Sequence, residues 1–330
     1  METNELKKLI SLVVSETLAQ LGLLPVQEKP KTTLISYYEQ WTEGLERQVK
    51  AGMKAESTLR KHRRVLQCLR EYLIYNKVED MTFADARKDF LPNLQIYLKT
   101  EKHLSTGSIR VYLSPVIMLF RHAHDEGLTD TYLFRNFRFE HEDNDRGFLS
   151  KADLERLMAY ECKTEKDALV RDLFLFCCFT GLAFADLKEL CAKHVVSNPA
   201  DGSQWIQKPR KKTSVEETVR LLPLPKRILA CRSQTDVQQT VFAVPSYKSC
   251  SRIISRVAKE CGIVRHVTWH LARHTMATSV CLAHGVTMEA VSRILGHRNI
   301  RSTQIYAKVT KDKLSHELDE LEARLSSETS

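Results

Sequence analysis

The residues most able to do chemistry lie near the C-terminus. His270-Leu-Ala-Arg273-His274 is followed by Leu295-Gly296-His297 and, nine residues on, by Tyr306. On a helix His270 and His274 stand one turn apart, and Arg273 shares that neighbourhood with His270. Two readings compete. The spacing of the histidines suits zinc, but the metalloprotease pattern needs Glu directly after the first His, and Leu271 stands there. Alternatively, histidine, arginine and tyrosine on consecutive short helices converge on one phosphate. Singly, each residue has a plain explanation, since a lone helical His is usually core and a lone Tyr is usually packing. Together they fit phosphodiester chemistry. A tyrosine hydroxyl can attack phosphorus and form a covalent phosphotyrosine. Arginine and histidine donors aimed at the non-bridging oxygens stabilise the transition state without a metal. The departing 5′-oxygen needs a proton, which a lysine can supply.

Other chemistries lack their signatures. The chain holds no G-x-x-x-x-G-K-[ST], no G-x-G-x-x-G and no G-x-S-x-G. Its nine cysteines include no C-x-x-C pair and sit mostly in apolar periodic stretches (Cys68, Cys177, Cys178, Cys281). That fits buried thiols in a reducing cytoplasm better than disulfides or zinc. The longest apolar run, Leu173 to Phe179, is too short to span a membrane, and Ser15 and Glu16 interrupt the N-terminal apolar stretch. We therefore expect no membrane, no secretion, and a cytoplasmic, nucleoid-associated protein.

The elements that must position these residues follow from composition and periodicity. In 330 residues there are only 11 glycines and 9 prolines, while 43% of residues are hydrophobic, which favours helices and real cores over a sandwich or a disordered chain. Residues 1–24 have the spacing of an amphipathic helix, ended by Gly22 and Pro25, with a linker to Pro30. Residues 31–139 are expected to form a helical domain. One stripe is Leu34, Tyr37, Tyr38, Trp41 and Leu45; a helix capped by Ser57 follows; others run near Phe90–Lys99 and after Ser105. Residues 140–147 are a polar linker, and 148–330 make a second domain opened by a Ser150/Asp153 capping box. In it, helices are expected at 151–160, 166–181, 184–191, 223–231, 247–261, 269–283 and 288–295. A strand-like pair, Gln204–Gln207 and Glu217–Leu222, interrupts them. The net charge of +9 suits a polyanion, although many soluble proteins are mildly basic.

These motifs resemble the C-terminal signature of the tyrosine recombinases, the phage integrase family. Phe179-Thr-Gly-Leu182 with Asp186-Leu187 resembles that family's first box. Lys212, in Arg-Lys-Lys-Thr between the strand-like segments, resembles its β-hairpin lysine, and residues 33–138 resemble its helical core-DNA-binding domain. The wording is most similar to recombinases of mobile elements and invertible DNA in Bacteroidetes. The resemblance implies a mainly α fold, with a SAM-like N-terminal domain and a C-terminal mixed catalytic domain holding a small β-sheet. It implies a site-specific DNA recombinase that forms a 3′-phosphotyrosyl intermediate, working as a homotetramer on two double-stranded DNA sites with no cofactor, metal or ATP. Tyr306 would be the nucleophile, with Arg273, His270, His297 and Lys212 catalytic and Asp186 and His274 supporting.

One position departs from the pattern. Where the first box carries an arginine on the scissile phosphate, this chain has Ala183. Either the protein is a weakened member or another cation takes the place. Arg210 precedes Lys212 by two residues, and two residues apart on a strand share a face. We therefore expect Arg210 to fill the gap. The competing reading is that Arg210 touches only the DNA backbone, as expected of Lys208, Lys211 and Arg220 in this domain and of Arg60, Lys61, Arg63 and Arg64 in the first. Two other functions remain open: type IB topoisomerase-like relaxation, and a non-catalytic DNA-binding relative that Ala183 alone would favour. Leu314, Leu318, Leu321 and Leu325 repeat at helical spacing, as for docking on a neighbouring subunit or packing on their own domain. The short segment before residue 31 favours a simple recombinase or invertase over an integrase that binds distant arm sites.

Overall fold

The computed structural model describes residues 13–14, 17, 32–139, 147–212, 215–233, 240–306, 318–319, 321–322 and 325–326. Most of the expected helix over 1–24, the linker to Pro30, residues 140–146 and Leu314 lie outside them. The chain divides into two compact units, Met1–Asp143 and Asn144–Ser330.

The first unit is helical: α1 (Leu34–Lys50), α2 (Glu56–Tyr75), α3 (Phe90–Thr100) and α4 (Thr106–Asp125). Its core takes Leu34, Tyr38, Leu69 and Leu73 from α1 and α2, and Leu91, Leu98, Leu113 and Phe120 from α3 and α4. Ser105 caps α4 by accepting from the Ser108 amide. Ser57 does not cap α2. That helix starts two residues earlier, after Ala55, and makes no side-chain cap bond. Glu56 in its first turn instead faces the positive end of the helix dipole. On α2, Leu59, His62, Val65, Leu66 and Leu69 are buried while Arg60, Lys61, Arg63 and Arg64 are exposed.

The second unit opens with α5 (Lys151–Ala159), α6 (Glu165–Thr180) and α7 (Phe184–Lys188). Ser150 and Asp153 form the expected capping box. A sheet of three antiparallel strands follows: β1 (Val195–Ser197), β2 (Gln204–Pro209) and β3 (Glu216–Arg220), in that order. The short β1 had no pattern long enough to announce it. Lys208 pairs with Glu217 across β2 and β3. Then come α8 (Pro223–Arg232), α9 (Tyr247–Glu260), α10 (Trp269–Thr275), α11 (Met288–Ile294) and α12 (Arg301–Gln304). The core gathers around α6, with Phe174 edge-on to Trp269 of α10 at 5.6 Å.

The single helix expected over 269–283 is broken. After Thr275 the chain widens into a π-helical turn, Met276–Cys281, and tightens into a 3₁₀ turn, Leu282–His284. The Thr275 hydroxyl donates to the Leu271 carbonyl at 2.8 Å and accepts from the Leu149 amide at 3.0 Å. Such back-bonding bends a helix, and it ties the site helix to the domain's first residues. No described helix is long and apolar enough to cross a membrane.

Candidate active site

Arg273 is 1% exposed and is held from three sides. Its Nη1 donates to the Gly181 carbonyl at 2.7 Å and to Glu217 Oε1 at 2.9 Å, and its Nη2 donates to the Leu295 carbonyl. Three of five N–H groups are thus used for positioning, which leaves one on Nε and one on Nη2. The Thr-Gly-Leu box therefore contributes a backbone acceptor. Gly181 supplies it at the left-handed end of α6, with φ of 76°. Ala183 stands at the N-cap of α7 and has no side-chain hydrogen bond to offer.

Arg210 reaches into the same region. Its backbone amide donates to the Val215 carbonyl at 2.8 Å, which extends the β2–β3 pairing past Pro209. Its Nε lies 3.7 Å from Glu217 Oε1, and its side chain is 12% exposed. Burial disfavours its charge, as does Arg273, while Glu217, Asp186 and Tyr306 favour it.

Strand alternation places Ile206, Lys208 and Arg210 inward and Gln207, Pro209 and Lys211 outward. It does not continue to Lys212. The strand ends at Pro209, and Lys212 is exposed in the turn, so Arg210 and Lys212 do not share a face. Lys208 is not placed as a DNA contact either. It is 4% exposed, and its Nζ donates to Asp186 Oδ1 at 3.1 Å. Asp186 Oδ1 also accepts from the Lys211 amide at 2.8 Å, so this buried carboxylate ties α7 to the hairpin. The Lys211 side chain is exposed and pairs with Glu189; Arg220 is exposed, 3.9 Å from Asp201. In the first unit Arg63 meets Glu46 at 2.6 Å and Arg60 meets Glu56 at 3.8 Å, both at the surface.

Tyr306 is buried just beyond α12. The His274 ring meets it edge-on at 4.9 Å, and the His297 ring lies parallel to it at 6.4 Å. Gly296, with φ of 54°, lets the chain turn sharply out of α11 and deliver His297. The His297 Nδ1 is 2.8 Å from Thr303 Oγ1. Burial holds this imidazole down at about 4, and Arg273, Arg210 and His270 add to the effect. His270 is exposed, with its ring 4.6 Å from His274. The structure thus gathers Tyr306, His274, His297, Arg273 and Arg210, sets His270 at the outer edge, and leaves Lys212 in the exposed turn.

Glu217 is a site residue that sequence reasoning missed. The available signal was the strand's own alternation, which turns Glu217 inward beside Val219. Among the described residues no three His, Cys, Asp or Glu side chains are grouped so as to hold a metal.

Comparison with known proteins places these features in a family. The phage integrase family profile matches residues 147–313, and the phage integrase SAM-like domain profile matches residues 33–139. A tyrosine recombinase of Pseudothermotoga lettingae is 28% identical over 164 residues, 49% of this chain and 56% of that protein. The XerD recombinase of Listeria monocytogenes is 43% identical over 63 residues, 19% of this chain and 21% of its own. The chain thus spans about half or less of the length of these curated relatives. Among solved structures, the Tn1549 transposon integrase with a circular intermediate DNA shares the fold at a TM-score of 0.66 and 17% identity, over 87% of this chain and 99% of that one. A lambda integrase dimer on a COC′ core site does so at 0.63 and 18%, over 83% and 95%.

Proposed function

The chain belongs to the phage integrase family of tyrosine recombinases, and from that premise we propose that it cuts and rejoins double-stranded DNA at specific sites, by integration, excision or inversion. Tyr306 attacks a phosphodiester through its hydroxyl oxygen and gives up its own proton to water. The P–O5′ bond breaks, a 3′-phosphotyrosyl bond forms, and the 5′-hydroxyl leaves carrying a proton from Lys212. That hydroxyl then attacks the phosphotyrosyl link on a partner strand, which forms a new phosphodiester and releases the tyrosine. The protein–DNA bond conserves the energy of the broken one, so no nucleotide is consumed. Arg273 and Arg210 hold the non-bridging oxygens, with Arg210 in the role that Ala183 leaves empty. His297, neutral above about pH 4 when no DNA is bound, is a hydrogen-bonding partner for the phosphate or the tyrosine rather than a charge. His270 stands at the outer edge of the site, and Asp186 and His274 support the arrangement.

The observation that carries this reading is the packing of Tyr306 between His274 and His297, with both arginines drawn to one carboxylate beside them. It favours an intact site over a decayed one, although Ala183 has no donor. The exposed cations Arg60, Lys61, Arg63, Arg64, Lys211 and Arg220 are proposed phosphate contacts. Four copies on two sites complete the reaction. The lambda integrase has been seen as a tetramer bound to a Holliday junction, and Leu318, Leu321 and Leu325 here are each at least 50% exposed, as for docking on a second copy. The lineage, read from the wording of the boxes, is that of mobile-element and DNA-inversion recombinases. The test is a nicked suicide substrate. Wild type traps a covalent adduct, with or without EDTA, and Tyr306→Phe binds the site but traps none. An adduct with the Phe variant overturns the assignment.

A further inference from the structure

Glu217 is buried completely at the start of β3, among charges that the established motifs do not explain. Its Oε1 accepts from Arg273 at 2.9 Å and lies 3.7 Å from Arg210 Nε. Its Oε2 is buried with no hydrogen-bond partner among the described residues, and so is Arg210 Nε. Arg273 is therefore held tightly and Arg210 loosely, with an unsatisfied donor and an unsatisfied acceptor in one small region. A buried carboxylate left half-used is costly and calls for a reason.

The surroundings give one. The groups facing this carboxylate are Arg210, just past β2; Arg273 on α10; Asp186 on α7; and the Cys177 thiol on α6. Lys208 stands opposite Glu217 on β2, but its charge is taken by Asp186. Lys208, Arg210 and Arg273 against Asp186 and Glu217 leave one positive charge in excess, the complement of one phosphodiester. The Leu-Gly-His turn also closes on Glu217. A Cβ at Gly296 would fall 2.8 Å from Glu217 Cγ, so only glycine lets the turn that carries His297 seat against this side chain.

We propose that Glu217 is a positioning residue for the phosphate site: it fixes Arg273 and holds Arg210 as an exchangeable partner, which passes to the phosphodiester when DNA arrives. This rests on the recombinase reading above. It gives a physical reason why a site whose second arginine comes from a hairpin needs a device that a helix-borne arginine does not. A guanidinium on a turn, beside another guanidinium, is pushed away unless an anion keeps it in place.

The carboxylate form does this work, and burial raises its pKa above the ordinary carboxylate value. Cleavage therefore falls on the acid side as Glu217 gains its proton. The experiment is single-turnover cleavage of a bound nicked site across pH 5–8, with wild type, Glu217→Gln and Glu217→Asp. At neutral pH the Gln variant is expected to cleave about 100-fold more slowly, the size of effect that follows from misplacing a reacting group. Its affinity for the site should stay within about threefold, because both arginines are still present. A neutral carboxylic acid and an amide have the same shape, so wild type and Gln should converge at low pH, and the variant should lose the part of the acid limb that Glu217 contributes and keep only the part that His297 contributes. A merely structural glutamate would show neither convergence nor loss of that limb. In Glu217→Asp the limb survives and moves to lower pH, which keeps the test open if the Gln variant fails to fold. A Gln variant that cleaves at the wild-type rate, or an Asp variant with an unmoved limb, overturns the proposal. If wild type traps no adduct at all, the recombinase reading falls with it, whereas an adduct with an unaffected Gln variant removes Glu217 alone.

Discussion

His62 in the helical unit and His297 in the catalytic unit are alike in several ways. Each is buried or half-buried, each has its Nδ1 beside a hydroxyl, and each imidazole is held down at about 4. Their surroundings differ. The partner of His62 is the Tyr38 hydroxyl at 3.0 Å, and its ring lies 4.4 Å from Trp41. Burial does most of the lowering there, and only Lys61, an exposed cation on its own helix, adds to it. Around His297 burial is followed by Arg273, Arg210 and His270, drawn from two segments far apart in the chain, α10 and the β2–β3 hairpin. One histidine is a polar member of a core. The other sits where the chain has brought cations together against their mutual repulsion. A depressed histidine is thus no sign of function by itself; what matters is which groups depress it and from how far along the chain they come.

The largest test of this contrast removes a cation. Arg210→Ala should slow single-turnover cleavage of bound DNA on the order of 10³-fold, the cost of a lost transition-state clamp. Ala183→Arg should add little to wild type and restore much of the loss in Arg210→Ala, because both positions then serve one phosphate. If Arg210→Ala cleaves bound DNA normally and only binds more weakly with a shallower salt dependence, Arg210 is a backbone contact.

The lysines offer a parallel contrast, a buried one and an exposed one. Lys212→Ala should slow cleavage about 100-fold, and a 5′-bridging sulfur, which leaves without a proton, should rescue it more than it rescues Arg273→Ala. Equal rescue would remove the proton-donor role. Lys208→Met should leave cleavage of bound DNA close to wild type and lower stability instead, since it strands Asp186 in the core.

Next come the histidines themselves. His297→Ala should slow cleavage about tenfold or more with little change in melting temperature. His62→Ala should do the reverse. Losing a buried ring and its hydroxyl bond should cost about 2 kcal/mol, seen in denaturant unfolding, while bound DNA is cleaved at the wild-type rate. An effect of His62 on the cleavage step would erase the distinction.

How far the sequence disclosed this arrangement depends on the range of the interactions involved. Helices with strong periodic faces, such as α1 and α4, and caps such as Ser105 and Ser150 were legible because their causes lie within a few residues. The break after α10 was not: the Thr275 hydroxyl that bonds back to Leu271 is also held by the Leu149 amide, more than a hundred residues away. Tyr306, Arg273 and His297 could be nominated from spacing, but not their partners. That Arg273 would be gripped by Gly181, Glu217 and Leu295 depends on three segments meeting. Lys208 and Lys212 look alike in a basic run. Where β2 ends decides which one turns inward, and Pro209, which lacks an N–H, is where it ends.

The smallest expected effect is a shift in titration midpoint, and it separates the two histidines most directly. Both folded values lie below the unfolded value near 6.5. Each neutral ring therefore contributes stability that is fully present above about 6.5 and is lost as pH falls toward 4. Acid alone cannot tell them apart, because both lower stability in the same window. Charge can. Arg210→Ala takes a cation from beside His297, so that midpoint should rise in imidazole NMR of the DNA-free protein. His62, in the other unit, should not move. Lys61→Ala should raise the His62 midpoint by less, since water screens an exposed ammonium, and leave His297 in place. Adding DNA to Tyr306→Phe, which binds without cleaving, brings an anion to the site. A phosphate beside His297 favours its protonated form and should raise its midpoint well above 4, with at most a small change at His62. If the phosphate moves His62 and leaves His297 alone, the cation cluster is not where DNA is cut.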